Sequence, residues 1–196
     1  QAPLGWVRTA HLSEFTPSHA ESARHGKNDW ATPAVLRLVK HALDSGTNVV
    51  MLARRNEVPW QVNYARDLNG HVRGLERFAE HIRSFLPKGD RRRVTASTVH
   101  KYKGLEQKAV VVLDADQSCY PLIHQNWTFL RVFGDRLERI EEEERRLLYV
   151  ALTRSSHSLV ILSDSPERES CYLNEIRAHT RLEIGRAHRL NSSHTD

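Results

Sequence analysis

Ala109-Val-Val-Val-Leu113 is the stretch that decides the fold, because an uninterrupted apolar run of this length is typical of a strand buried on both faces of a parallel sheet. Working outward, we find two further apolar runs, Asn48–Ala53 and Leu159–Leu162, and a fourth predicted strand over Val94–Val99. Segments with helical spacing lie between and beyond them: one from Thr32-Pro33 with Thr32 as N-cap, one from Leu75 to Leu86, one over Asp135–Thr153 and one over Tyr172–Ala178. This alternation predicts βαβ units, and therefore an α/β domain with a mostly parallel sheet flanked by helices.

Ligands in such sheets bind beyond the carboxyl ends of the strands. The loops after Ala53, Val99 and Leu113 are therefore the places to look for site residues, and we add the Thr153-Arg154 corner to them.

The composition narrows the class of protein. The chain has 196 residues, of which 39% are hydrophobic and 27% charged, which suits one globular domain with irregular ends. The sequence has no apolar run long enough to span a bilayer and no signal-peptide layout at its start. Two distant cysteines, Cys119 and Cys171, give neither a disulfide framework nor a metal-binding pair, so we expect a reduced, cytoplasmic setting. The net charge of +5 is compatible with a polyanionic partner but does not require one.

Three regions divide the chain. Residues 1–30 show no sustained periodicity and are predicted to be a linker or the edge of a preceding domain. Residues 31–180 hold the predicted α/β domain. Residues 181–196 form a tail that we expect to be non-native, because the sequence from about residue 183 resembles the translation of a common sequencing adapter.

Three segments lie at these positions and carry charged or hydrogen-bonding groups that can form a binding site. The first segment follows a strand and has the sequence Thr98-Val-His-Lys-Tyr-Lys-Gly-Leu-Glu106. It offers exposed amides, positive charge and a carboxylate that can bind a sugar hydroxyl. A charged turn without a binding function would have the same residue pattern. The second segment, Glu141–Arg154, has the spacing of a solvated helix, with ion pairs expected between Glu141 and Arg145 and between Glu142 and Arg146. These pairs do not account for Arg154, which can meet a phosphoryl group. The third segment, Leu52–Asn56, lies at the end of the first strand and contains Arg54, although arginines after a strand are common.

Together, these segments resemble motifs IV, V and VI of the UvrD/Rep-type superfamily 1 DNA helicases, in the family's order. Residues 98–106 are similar to the family's T-x-H-x-x-K-G-L-E, and residues 142–154 to its E-E-E-R-R-L-x-Y-V-x-x-T-R. Arg54 and Asn56 match the shorter motif IV less specifically. The resemblance covers residues 47–163 and implies the second RecA-like motor domain of such a helicase.

The resemblance also implies roles for individual residues. Arg154 would be the arginine finger for the γ-phosphate of ATP, and Arg54 a second phosphate-sensing arginine. Glu106 would hydrogen-bond the ribose, Gly104 would permit the close approach, and Lys103 would support the loop. Thr98 and His100 would face DNA, and Tyr149 would pack in the core behind Arg154.

Some features depart from the family or are missing. Gln107 stands where the family has an aromatic residue, and fewer than forty residues separate Asn56 from Val94, so the large inserted subdomain of Rep and UvrD is lacking. The sequence has no G-x-x-x-x-G-K-[ST] loop and no Asp-Glu pair closing an apolar strand, so we expect ATP and Mg²⁺ to be bound mainly by a preceding motor domain and the chain alone to be inactive.

Other features have plainer interpretations. Asp114 and Asp116 are interpreted as a strand-end turn, and the histidines lack ligand-like spacing, so we predict no metal site. The loop Cys119–Trp127 can either stack bases or cover the core, and Arg91–Arg93 is either a solvated turn or a contact to backbone phosphates.

Two functions follow. The first is the C-terminal motor domain of an ATP-dependent DNA helicase of 3′-to-5′ polarity, whose partners are single-stranded or junction DNA and the N-terminal RecA-like domain of the same polypeptide. The second is a non-catalytic nucleic-acid-binding or regulatory module derived from such a domain. The presence of Arg54, Glu106 and Arg154 together favours the first.

Overall fold

The computed structural model describes residues 6–25, 29–44, 46–57, 74–123 and 136–179 of the chain. The sequence predictions for Trp127, for Asp135 and for the tail at 181–196 lie outside these residues. Five strands and five helices of the described part form an α/β domain. The strands are β1 (Trp6–His11), β2 (Val49–Ala53), β3 (Val94–Thr98), β4 (Gln107–Val112) and β5 (Ser155–Ser163), and the helices are α1 (His19–His25), α2 (Ala31–Asp44), α3 (Leu75–Ser84), α4 (Leu137–Leu152) and α5 (Cys171–His179).

The strands form one sheet in the order β1-β5-β4-β2-β3, and every pairing between them is parallel. This arrangement confirms the predicted α/β class with a parallel sheet. None of the described helices is long and apolar enough to cross a membrane.

Helices cover both faces of the sheet, which explains why its central strands are apolar throughout. Alternate residues of a strand point to opposite faces. In β2, Val49 and Met51 pack with the residues of α2 and α3, whereas Val50 and Leu52 pack with Leu148 of α4 and its neighbours. A strand sandwiched in this way has no solvent-facing side, so it reads as a continuous apolar run.

The linker prediction is wrong for Trp6–His11, which form edge strand β1 parallel to β5. The side chain of His11 is hydrogen-bonded to Ser163 of β5 (Nδ1 to Oγ, 2.7 Å), and Arg8 lies over the Trp6 ring at 5.2 Å. An edge strand is only half buried, so it carries polar residues and lacks the apolar run on which the prediction depended.

The ends of several elements also differ from the prediction. Helix α2 begins at Ala31, and the carboxylate of Asp29, not Thr32, accepts a hydrogen bond in its first turn, from the Thr32 N–H at 2.9 Å. Strand β5 extends over Ser155–Ser163 and is more than twice as long as predicted, because its polar first residues still pair with β4.

Arg91–Arg93 form a 3-10 turn that holds two helix ends in place. Arg91 donates from Nε to the carbonyl of Leu86 at 3.0 Å, beyond the end of α3. Arg93 donates from Nη2 to the carbonyl of Leu43 at the end of α2, also at 3.0 Å. These two arginines therefore attach the turn before β3 to the segments that end α2 and follow α3.

Candidate nucleotide and DNA sites

The predicted site residues lie at two opposite edges of the sheet. Because all strands run the same way, Arg54 after β2 and Thr98 at the end of β3 lie at the carboxyl edge. Glu106 and Arg154 directly precede β4 and β5, so they lie at the amino edge. The prediction that the Thr153-Arg154 corner belongs to the carboxyl edge is therefore wrong.

Arg154 and the loop that ends at Glu106 contact each other. The Arg154 guanidinium donates to the carbonyl of Leu105 at 3.2 Å, to that of Val150 at 3.0 Å and to the Thr153 hydroxyl at 3.2 Å. The backbone N–H of Gln107 donates to the Arg154 carbonyl at 2.9 Å. Arg154 forms no ion pair with any residue of the described part, so its positive charge is held only by neutral acceptors at a helix C-terminus, where a cation is favoured.

The loop over residues 99–106 connects the two edges. At the carboxyl edge, Val99 donates its N–H to the carbonyl of Ala53 at 3.0 Å. The loop then turns, with the Tyr102 N–H bonded to the Thr98 carbonyl at 3.0 Å, and reaches the amino edge before Gln107. Since β4 is six residues long, the distance covered is about 17 Å.

Four of the predicted site residues in this segment are exposed: His100, Lys103, Gly104 and Glu106. Thr98 is half-buried, and its hydroxyl accepts a hydrogen bond from the Lys101 N–H at 3.4 Å. Gly104 has a φ of 86°, which only glycine adopts without cost, and this conformation lets the chain turn into β4. The loop therefore presents the side chains of His100, Lys103 and Glu106 to solvent.

Arg54 is arranged differently from Arg154. Its guanidinium forms a bidentate pair with Glu144 of α4, with Nε to Oε2 at 2.9 Å and Nη2 to Oε1 at 2.6 Å. The side chains of Arg54 and Glu144 are only 13% and 10% exposed. Burial works against the charge, but the Glu144 carboxylate outweighs it and raises the pKa of Arg54.

In the described structure the Arg54 guanidinium is engaged by Glu144, and phosphate sensing by Arg54 stays a prediction. Glu144 lies eight residues before the end of α4 at Leu152, which corresponds to about 12 Å along the helix, and Arg154 lies two residues beyond that end. The Arg54 and Arg154 guanidinium groups therefore have different partners at different points along α4.

Asp114 and Asp116 support the chain at the carboxyl edge, as the interpretation of a strand-end turn expects. Both oxygens of Asp114 accept from the Arg54 N–H at 3.0 Å, and Asp116 accepts from the Asp164 N–H at 2.9 Å. Burial raises the pKa of Asp114 to about 7 and that of Asp116 to about 6. In the described ranges, no group of three or more His, Cys, Asp or Glu side chains is placed to hold a metal ion.

Two predictions about the outer face of α4 are wrong. Arg146 pairs with Glu142 as expected, but Arg145 pairs with Glu175 of α5 at 2.9 Å and not with Glu141. Tyr149 is 63% exposed and does not pack in the core. Of the loop predicted to stack bases or cover the core, Cys119 and Tyr120 are fully buried, so this part covers the core.

Sequence reasoning missed Glu144, the partner of Arg54. A signal was present: Glu144 occupies the apolar spacing of α4, four residues before Leu148 and seven before Ala151, both fully buried. A carboxylate at such a position requires a cationic or hydrogen-bonding partner.

Comparison with known proteins supports the resemblance. The UvrD-like helicase C-terminal domain family matches residues 64–165, a span that includes Thr98–Glu106 and Arg154 but begins after Arg54. The ATP-dependent DNA helicases UvrD2 of Mycobacterium bovis and Mycobacterium tuberculosis are 34% identical to the chain over 127 residues, which is 61% of this chain and 17% of each relative. The matched part is thus less than a fifth of their length.

A solved structure is also similar. It is the C-terminal domain of a possible DNA helicase from Lactobacillus plantarum WCFS1, with 18% sequence identity and a TM-score of 0.46 over 88% of this chain and 80% of that one.

Proposed function

The chain belongs to the UvrD-like helicase C-terminal domain family, and on that premise we propose that it is the second RecA-like motor domain of an ATP-dependent DNA helicase. In this proposal it completes an ATP site on a preceding motor domain of the same polypeptide and forms part of a track for single-stranded DNA. The relatives that carry the name ATP-dependent DNA helicase support this assignment.

One observation carries the proposal: the Arg154 guanidinium bonds to the carbonyl of Leu105, directly before Glu106. A cation for a phosphoryl group and a carboxylate for a ribose hydroxyl therefore lie on the same exposed edge. The bonds that Arg154 makes here are to neutral oxygens, and charge-assisted bonds to phosphate are stronger. Turning toward a nucleotide would cost Arg154 no ion pair within the described part of the chain.

The chemistry proposed for this edge is charge stabilisation. Phosphoryl transfer requires positioning and neutralisation of the charge that develops on the transferred group. Arg154 supplies positive charge, Glu106 orients the ribose, and Gly104 and Lys103 shape the loop beside them. Mg²⁺ bound with ATP, mainly on the preceding domain, supplies the remaining neutralisation.

The DNA track is proposed at the opposite edge, around Thr98 and His100. The loop over residues 99–106 joins this edge to the amino edge, where Glu106 and Arg154 lie and which we call the nucleotide edge. A movement at one end of the loop would therefore shift the other end. Closure of the two motor domains around ATP would then move Thr98 and His100 along one strand. We assign the 3′-to-5′ direction by resemblance alone.

Cys119 and Cys171 are both free thiols, which suits the cytoplasmic location that we also propose.

The proposal is tested by ATP hydrolysis of the full-length protein with and without single-stranded DNA. We expect stimulation by DNA, and we expect His100→Ala to raise the DNA concentration for half-maximal stimulation about fivefold or more, since one lost contact is worth at least about 1 kcal/mol. His19→Ala is the matched control, because His19 is an exposed histidine on α1. DNA binding without any ATP hydrolysis would instead favour a non-catalytic binding module.

A further inference from the structure

Three segments that are distant in sequence meet at the Arg54–Glu144 pair. Arg54 follows β2, and its backbone N–H is held by Asp114, which follows β4. Its side chain is held by Glu144 of α4, and Glu144 also accepts from the N–H of Leu122 at 3.3 Å. The pair therefore attaches one point of α4 to the carboxyl ends of the two central strands.

Helix α4 runs from this attachment to the nucleotide edge. It is continuous from Leu137 to Leu152, and Leu148 and Ala151 are fully buried against the sheet between the two points. A helix packed in this way moves as one body. A rotation or shift at Glu144 is consequently transmitted to Arg154 at the other end, where the contacts to the Leu105 carbonyl are made.

We propose that Arg54 is a positioning residue, which acts through Glu144 to fix α4 on the sheet and thereby places Arg154 at the nucleotide edge. This inference rests on the proposed function, because it assigns to Arg54 an effect on ATP turnover. A planar guanidinium that bonds both carboxylate oxygens fixes direction as well as distance, which a lysine cannot do. Contact of Arg54 with phosphate would require breaking this buried pair.

The experiment compares Arg54→Gln, Arg54→Lys, Glu144→Gln and the double variant Arg54→Gln/Glu144→Gln in the full-length protein. We expect each single variant to lower kcat for DNA-stimulated ATP hydrolysis about tenfold or more, because a small misplacement of a catalytic group has effects of this size. ATP affinity should change by less than about twofold, since the pair touches no nucleotide. The double variant should be no worse than the worse single variant, because both remove the same interaction.

Arg54→Lys separates the two possible roles of Arg54. Lysine keeps a cation for a phosphate but loses the bidentate geometry, so positioning predicts that Arg54→Lys behaves like Arg54→Gln. Retained activity in Arg54→Lys would therefore overturn the positioning role, whereas a loss is read together with Glu144→Gln.

Glu169→Gln is the control for a loss of stability alone. It breaks a second bidentate pair, Arg177–Glu169 at 2.7 Å, in which the carboxylate is buried and the arginine half-buried and which has no bond to α4 in the described ranges. All variants are assayed at a temperature where circular dichroism shows them folded. If Arg54→Gln does not fold, the comparison of Glu144→Gln with Glu169→Gln tests the inference: equal kcat values would overturn it.

The inference and the proposed function fail in different ways. Loss of turnover in Arg54→Gln with unchanged kcat in Glu144→Gln would show that Arg54 acts on the nucleotide itself. Wild-type turnover in both, with turnover abolished in Arg154→Ala, would overturn the positioning role and leave the proposed function standing. Wild-type turnover in Arg154→Ala would overturn the proposed function.

Discussion

Gly104 is a residue whose identity is required by the backbone of the turn before β4. Its φ is 86°, and a Cβ added there would meet no atom within 4 Å. The cost of a side chain is therefore conformational and not steric. We expect Gly104→Ala to lower the free energy of unfolding by about 1–2 kcal/mol, measured by urea denaturation.

Gly89→Ala is the matched control for this prediction. Gly89 also has open space around it but does not have a positive φ. The same substitution should leave stability unchanged or raise it slightly, because alanine restricts the unfolded chain. Equal losses of stability in the two variants would contradict the conformational explanation.

Single residues were predictable where a motif gave them a role and unpredictable where only packing decides. Glu106 and Arg154 were named from their motifs, and the structure brings their segments together. Tyr149 was placed in the core by the resemblance, and the apolar run Leu147–Val150 does not itself show which of its residues faces inward. The sheet decides this, by burying Leu148 and leaving Tyr149 exposed.

Elements with strong periodicity were predicted closely, and partly exposed ones were not. Helix α4 was expected over Asp135–Thr153 and is found over Leu137–Leu152. Strand β1 was missed because only two of its six residues are buried, so it lacks an apolar run. The pairing of Arg145 with Glu175 could not be predicted either, since it depends on where α5 lies relative to α4.

The end of β4 carries a prediction about pH. Burial raises the pKa of Asp114 to about 7 from an ordinary value of 3.8, so the folded protein keeps this proton to higher pH than the unfolded chain does. Stability from this group is present below about pH 4 and is lost as the pH rises through about 7. Asp114→Asn, which is always neutral, should therefore raise the melting temperature more at pH 8 than at pH 5.

The difference between variant and wild type isolates this effect from other groups. Asp116 changes stability in the same direction, and the lowered pKa values of His25 and His81 change it in the opposite direction, but all three are common to both proteins. Asp44→Asn is the control, because Asp44 is exposed at the end of α2. Melting temperatures that shift equally at pH 5 and pH 8 would contradict the assignment to Asp114.

At the scale of the whole molecule, the sheet separates two sites that the sequence had placed together. The alternation of strands and helices was sufficient to predict a parallel α/β domain. It was not sufficient to place Arg54 and Arg154, because the edge on which a residue lies depends on whether it precedes or follows its strand. Arg54 follows β2 and Arg154 precedes β5. The loop over residues 99–106 and helix α4 both connect these edges.

ATP turnover by the full-length protein carrying Arg154→Ala tests the central claim most directly, with ATP affinity measured beside it. Arg146→Ala is the control, because Arg146 is an exposed arginine on the same helix that pairs with Glu142. We predict that Arg154→Ala lowers kcat about a thousandfold or more while ATP affinity changes by less than about threefold, as expected for an arginine that acts on the transition state. Arg154→Ala turnover within about twofold of that of Arg146→Ala would contradict the account.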